Sequence, residues 1–190
     1  MQPFADHFSA IASAYAAARP TYPNALFDWL AGQAPSRRSA WDCAAGNGQA
    51  TLALADRFDT VLATDASAAQ LEQMPSRANV RRRVAPAETS GLPDGSVDLG
   101  TVAQALHWLP LEAFWHEVRR VLVDRGLVAV WCYGIQQVDH PDADRMVERF
   151  YHDVVGPYWA PERRLVETGY ATIELPFESV PVPAFEMALA

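Results

Sequence analysis

Short apolar runs alternate with helical patterns through the middle of the chain, residues 39–134. Ala40-Trp41-Asp42-Cys43-Ala44 reads as a first strand ending in a glycine-bearing turn. Gln49–Phe58 then reads as a helix. Thr60–Thr64 is strand-like and stops at Asp65. Ser67 opens the next helix, and Gln70 three residues on completes a capping-box pattern. Val80, Arg82 and Val84 alternate as a half-buried strand. Leu92-Pro93-Asp94-Gly95 has the residue types of a turn. Val97–Ala103 is apolar enough for a buried strand. Leu111, Phe114, Trp115, Val118 and Leu122 share one helical face, with Gly126 as the stop. Leu127–Tyr133 is a further apolar run. Strands alternating with helices predict a doubly wound α/β fold, a Rossmann-like, mostly parallel sheet with helices on both faces.

The flanks differ in texture. Residues 1–36 are Ala-rich and broken by Pro20, Pro23 and Pro35, and residues 135–190 are richer in Pro, Tyr and Phe. Neither carries a repeat or a low-complexity linker, so a single domain over 1–190 is expected. It would have an N-terminal helical cap (1–36), a core (37–134) and a lid (135–190).

With 190 residues, half of them apolar, the chain can bury a sizeable core. No apolar run reaches membrane-spanning length, and the N-terminus lacks the basic start of a secretory signal. The net charge of −8 opposes general nucleic-acid binding. All 15 basic residues are arginine, and the cluster Arg81-Arg82-Arg83 is expected on the solvent side of a strand. The two cysteines, Cys43 and Cys132, form no metal spacing and are not expected to pair. With no export signal, they predict a reducing cytoplasm.

In such folds the ligand sits beyond the carboxyl ends of the strands. The first of these turns reads Asp42-Cys43-Ala44-Ala45-Gly46-Asn47-Gly48-Gln49. Gly46 and Gly48 allow a tight turn and close backbone approach, and the following helix offers free N–H groups. A dinucleotide site would want a third glycine where Thr51 stands. Asp42 would repel a pyrophosphate but can accept from an ammonium group. Asp65, 17 residues after Gly48, suits a ribose diol, because one carboxylate accepts from two hydroxyls. The expected ligand has a ribose, a positive group and no phosphate.

Asp42–Gly48 followed by Asp65 resembles the cofactor motif of class I S-adenosylmethionine-dependent methyltransferases, with Ala44 where that motif usually has glycine. Ala87-Glu88, Leu92-Pro93-Asp94, Ser96-Val97-Asp98 and Ala103-Gln104-Ala105-Leu106-His107-Trp108 are similar to its type-11 methyltransferase domain, of the trans-aconitate methyltransferase-like kind. So are Arg19-Pro20-Thr21-Tyr22-Pro23 and Tyr158-Trp159-Ala160-Pro161-Glu162-Arg163. The resemblance implies S-adenosylmethionine as cofactor, S-adenosylhomocysteine as product and a small-molecule acceptor, in a monomer or homodimer. Asp42, Ala44, Gly46 and Gly48 would face the cofactor's methionine portion, Asp65 its ribose, and Ala66, Ala87 and Glu88 its adenine, with Glu88 reading equally as the N-terminal acid of a helix. Gln104 would line the methionine side. Arg19 would pair with a carboxylate of cofactor or substrate, and Tyr15 and Tyr22 would either close the pocket or simply pack the start of a helix.

His107 and Trp108 follow the fourth strand, where the acceptor belongs. His107 reads either as a general base or donor or as a structural residue, and Trp108 either as an aromatic wall or as core. Tyr158, Trp159 and Arg163 would form part of a lid, or a packing cluster. A carboxylate acceptor would need no base and would be oriented by Arg19 or Arg163; a hydroxyl or amine would need His107. The family usually ends in an antiparallel strand pair, which is expected to be missing or incomplete here. A non-catalytic or truncated cofactor-binding protein, and a nicotinamide-dependent oxidoreductase, are the alternatives.

Overall fold

A computed structural model describes residues 21–187. Helix α1 (Asn24–Gln33) leads into strand β1 (Ser39–Cys43), α2 (Gln49–Ala55), β2 (Thr60–Asp65), α3 (Ala68–Gln73) and β3 (Val80–Val84). Then come β4 (Val97–Ala103), a 3-10 turn at Leu106–Trp108, α4 (Leu111–Val121) and β5 (Leu122–Trp131). The remainder is helical or irregular: α5 (Pro141–Arg149), a π-helical stretch (Phe150–Val155), a 3-10 turn (Gly156–Tyr158) and α6 (Arg163–Glu167).

The five strands form one parallel sheet in the order β3-β2-β1-β4-β5. The chain winds outward from β1 to β3, then returns to place β4 on the other side of β1. The crevice therefore opens between the ends of β1 and β4, where the winding reverses. Every residue of β1 but the first is buried, and every residue of β4 but the last. This two-sided burial is why both read as apolar runs.

Each face of the sheet has its own core. On one, Trp41, Val97 and Val102 meet Phe114, Trp115 and Val118 of α4 and Val166 of α6. On the other, Ala40, Val61 and Leu99 meet Leu26, Phe27 and Leu30 of α1 and Leu54 of α2. Among polar ties, the Trp41 indole donates to Thr64 Oγ1 at 2.9 Å. Asp98, also buried, accepts from the N–H groups of Arg38 and Ser39 at 3.1 and 2.9 Å, which holds the start of β1 beside β4.

Three elements depart from expectation. Strand β3 is not half-buried: Arg81 to Val84 are all exposed, with Val84 at 58%. It is a sheet edge, and its arginines serve the loops, Arg82 donating to the carbonyls of Leu71 and Met74 at the end of α3 and Arg83 to that of Ser90. The first core helix stops at Ala55, short of Phe58. Helix α4 ends at Val121, not near Gly126. Its apolar face continues without a break into β5, and the reversal is made inside that strand, where Arg125 takes φ +60° and the register with β4 shifts between Val97 and Leu99.

Among the described residues no strand pairs with the outer edge of β5. A cavity of about 1520 Å³ runs beside it, lined by Leu127, Ala129 and Trp131 and by residues such as Leu175 and Phe185. No helix among the described residues is long and apolar enough to cross a membrane.

Candidate active site

The turn leaving β1 is built from left-handed residues. Ala44, Gly46 and Gly48 have φ of +54°, +56° and +92°. Gly48 is the position that tolerates nothing larger: a Cβ there would lie 2.5 Å from Met74 Cγ. The turn is tied down by Ala45 N–H to the Thr64 carbonyl and Gly48 N–H to the Ala45 carbonyl, both at 3.0 Å.

Asp42 lies beneath this turn, 1% exposed. Its carboxylate accepts from Thr51 Oγ1 at 2.6 Å and Thr101 Oγ1 at 2.9 Å. One residue thereby clamps α2 and β4 to β1. Burial pushes its carboxyl up to about 6, against the two threonine hydroxyls that favour the ionised form. Thr51 stands where a dinucleotide pattern would have glycine, and its hydroxyl has this structural task. Neither threonine was legible as a site residue, because the bonds cross nine and 59 residues of sequence.

Asp65 ends β2 in the neighbouring turn. One oxygen accepts from Gly46 N–H and the other from Ser67 N–H, each at 2.8 Å. Two backbone donors thus fix the orientation of the carboxylate at the end of β2. Ser67 caps α3 as expected, its hydroxyl accepting from Gln70 N–H at 3.3 Å; Asp65, not Gln70, takes the Ser67 N–H. Ala66 is exposed on the same lip. Ala87 is buried, while Glu88 borders a surface recess of about 670 Å³ with Leu111 and His116.

Across the crevice, Gln104 turns the end of β4 with φ +58°. Its N–H reaches the Trp131 carbonyl at 2.9 Å and its side-chain amide the Tyr133 carbonyl at 3.2 Å. Tyr22 packs edge-on against Trp131 at 5.5 Å and lies 6.3 Å from Tyr133, so it joins the same rim. Arg19 and Tyr15 lie outside the described residues.

His107 stands on the 3-10 turn after β4, its ring 4.8 Å from that of Trp108, which is 41% exposed. Burial and the charge of Arg163 push the imidazole down to about 4, so it is neutral at pH 7. Arg163 donates to Tyr151 Oη at 2.7 Å and stacks on Trp159, 5.0 Å from its ring. Tyr158 is not part of this group: it is 87% exposed. The π-helical stretch and the following 3-10 turn carry it outward. Tyr170, which sequence reasoning missed, lies against His107 instead, its Oη 2.9 Å from Nδ1. The only local signal was Gly169, a helix stop that aims the residue after it.

The "Methyltransferase domain" family model matches residues 41–130. A protein of Dictyostelium discoideum provisionally named a methyltransferase is 38% identical over 179 residues, covering 93% of this chain and 68% of the relative. The chain belongs to the S-adenosylmethionine-dependent methyltransferases. A methyltransferase-family protein of Saccharomyces cerevisiae, described as S-adenosylmethionine-dependent, is 31% identical, and the chain spans 56% of its length. A solved structure from Anaeromyxobacter dehalogenans, described as a type II methyltransferase, superimposes with a TM-score of 0.83 at 46% identity, covering 89% of this chain and 72% of that one. The cofactor of this methyltransferase is S-adenosylmethionine, and the site fits it. Glycines without Cβ atoms line the turn, a fixed carboxylate stands at the end of β2, and no glycine pattern for a pyrophosphate is present.

Proposed function

We propose that this methyltransferase holds S-adenosylmethionine across the ends of β1, β2 and β3 and methylates a small carboxylate-bearing molecule admitted beside β4. The observation that carries the reading is Asp65, fixed by Gly46 and Ser67 and aimed by the same turn that carries the glycines. In the proposed arrangement Asp65 binds the ribose diol, the Ala44–Gly48 backbone faces the methionine portion, and Ala66, Ala87 and Glu88 border the adenine. Asp42 acts from below, by holding the turn in shape. Gln104 and Tyr22 close the methionine side.

The cofactor supplies a methyl group already activated on a sulfonium. The protein's contribution is therefore placement, and near-attack geometry is worth about 7–11 kcal/mol of the barrier. Trp108 offers an aromatic wall beside the cation. Arg163 spends its Nε on Tyr151 and keeps its terminal nitrogens without a hydrogen bond among the described residues, which suits it to orient an acceptor carboxylate.

Calorimetric titration with S-adenosylhomocysteine, with NAD as control, tests the site. Saturable one-to-one binding and no response to NAD is the expected result. Asp65→Ala should weaken that binding more than tenfold, since a charged hydrogen bond contributes about 1.5–3 kcal/mol. Unchanged affinity in a folded variant would remove Asp65 from the site.

A further inference from the structure

We propose that Tyr170 is a positioning residue: it holds His107 in the Nε2–H form, so that His107 gives a hydrogen bond to the acceptor molecule and does not take a proton from it. This rests on the reading above only in placing the acceptor beside β4; the His107–Tyr170 geometry stands independently.

Tyr170 is built to hold one orientation. It follows α6 and Gly169, and both residues have left-handed backbones, with φ of +58° at Gly169 and +62° at Tyr170. A tyrosine seldom adopts that conformation. Here the Gly169 N–H bonds to the Val166 carbonyl at 2.9 Å and the Tyr170 N–H to the Leu165 carbonyl at 2.8 Å, a helix-ending pattern that turns the ring inward. The ring is 7% exposed and lies 6.0 Å from that of His107, with Oη 2.9 Å from Nδ1.

The direction of that bond follows from the proton inventory. A phenol has one hydrogen to give. Burial raises the Tyr170 hydroxyl well above its ordinary value, so it keeps that hydrogen. Two acceptors compete for the hydrogen, Nδ1 of His107 and the sulfur of Cys132. Sulfur is a weak acceptor, and the Cys132 thiol itself points to the Val166 carbonyl, 3.7 Å away. An unprotonated imidazole nitrogen is the stronger partner. With Nδ1 accepting, the single proton of neutral His107 sits on Nε2. Among the described residues Nε2 has no hydrogen-bond partner and is not a buried unpartnered atom, so it is open to an incoming group.

A neutral Nε2–H group cannot remove a proton from a hydroxyl or an amine. It can donate to an oxygen that already carries a lone pair and a charge. For a carboxylate acceptor the bond from oxygen to the methyl carbon forms as the carbon–sulfur bond breaks. The electron pair of the broken bond stays on sulfur, and no proton moves. The geometry at His107 thus selects for an oxyanion.

Long-range proton–nitrogen correlation of the protein labelled with ¹⁵N-histidine at pH 7 reads the tautomer directly, with the His107 signals assigned by their loss in His107→Gln. The expected pattern is a protonated Nε2 and an unprotonated Nδ1. In Tyr170→Phe, which keeps the ring, the His107 pattern should move toward a mixture of the two forms. A protonated Nδ1 in the wild-type protein overturns the proposal, and so does an unchanged pattern in folded Tyr170→Phe. The wild-type measurement stands even if the variant fails to fold. Binding of S-adenosylhomocysteine, measured separately, tells failure of the cofactor reading from failure of this one.

Discussion

Asp42 holds the turn after β1 from beneath. Its two oxygens are used by Thr51 and Thr101, and its position under the turn leaves it 1% exposed. Such burial has a measurable cost. A carboxyl with an ordinary value of 3.8 in the unfolded chain and about 6 in the folded one holds its proton more tightly when folded. Stability from this group is therefore greatest below about pH 4, falls as pH rises to about 6, and is flat above that. The fall amounts to about 3 kcal/mol. Asp42→Asn keeps the shape and an acceptor for one threonine while removing the charge. Urea unfolding of both proteins at pH 4, 5, 6 and 7 should show the wild type losing stability relative to the variant as pH rises over that range. Parallel curves would mean that Asp42 is ionised in the fold at no such cost.

At the scale of elements, α4 and the loop before β4 are joined by one buried acid. Glu117, 7% exposed, accepts from the Ser90 N–H at 2.8 Å and from its hydroxyl, and from Arg120 Nε and Nη2 at 2.9 and 2.7 Å. Arg120 also reaches the Leu92 carbonyl at 2.8 Å and the Asp94 carboxylate. Burial pushes Glu117 up, but the bonds from Arg120 and Ser90 outweigh it and hold the carboxyl below its ordinary value. The sign is opposite to that of Asp42: this contribution is complete above the ordinary glutamate range and is lost as pH falls through it. Glu117→Gln keeps the shape and removes the charge that Arg120 answers. It should lower stability by about 1–3 kcal/mol in urea unfolding at pH 7, with the difference from wild type shrinking below pH 4. Equal stability at pH 7 would show the cluster to be incidental.

Across the whole molecule, what was legible in the sequence and what was not follow from the range of the interactions. Strands β1 and β4 stood out because both their faces are covered, so nearly every residue is apolar or small. The glycine turn and Asp65 stood out because they are local. The exposure of β3 was hidden, since valines alternating with arginines look the same on an edge as on a half-covered strand. The end of α4 was hidden because Leu122 and Val123 extend both a helical face and a strand. Tyr170 was hidden because it meets His107 across 63 residues.

The same layout predicts how the sheet opens. Strands β1 and β4 are central and buried on both faces, whereas β3 is an exposed edge that, among the described residues, pairs with β2 alone. Amides with few buried apolar contacts exchange through partial opening, and those of a covered core through global unfolding. Native-state hydrogen exchange should therefore place the β3 amides of Arg81 and Arg83, which face β2, well below the global unfolding free energy, with a weak dependence on denaturant. Amides of Trp41, Asp42, Gly100 and Thr101 should exchange at the global value with its full denaturant dependence. If β3 exchanged as slowly as β1, its arginine bonds to the loops would be holding the edge as firmly as burial holds the centre, and the sheet would open as one unit.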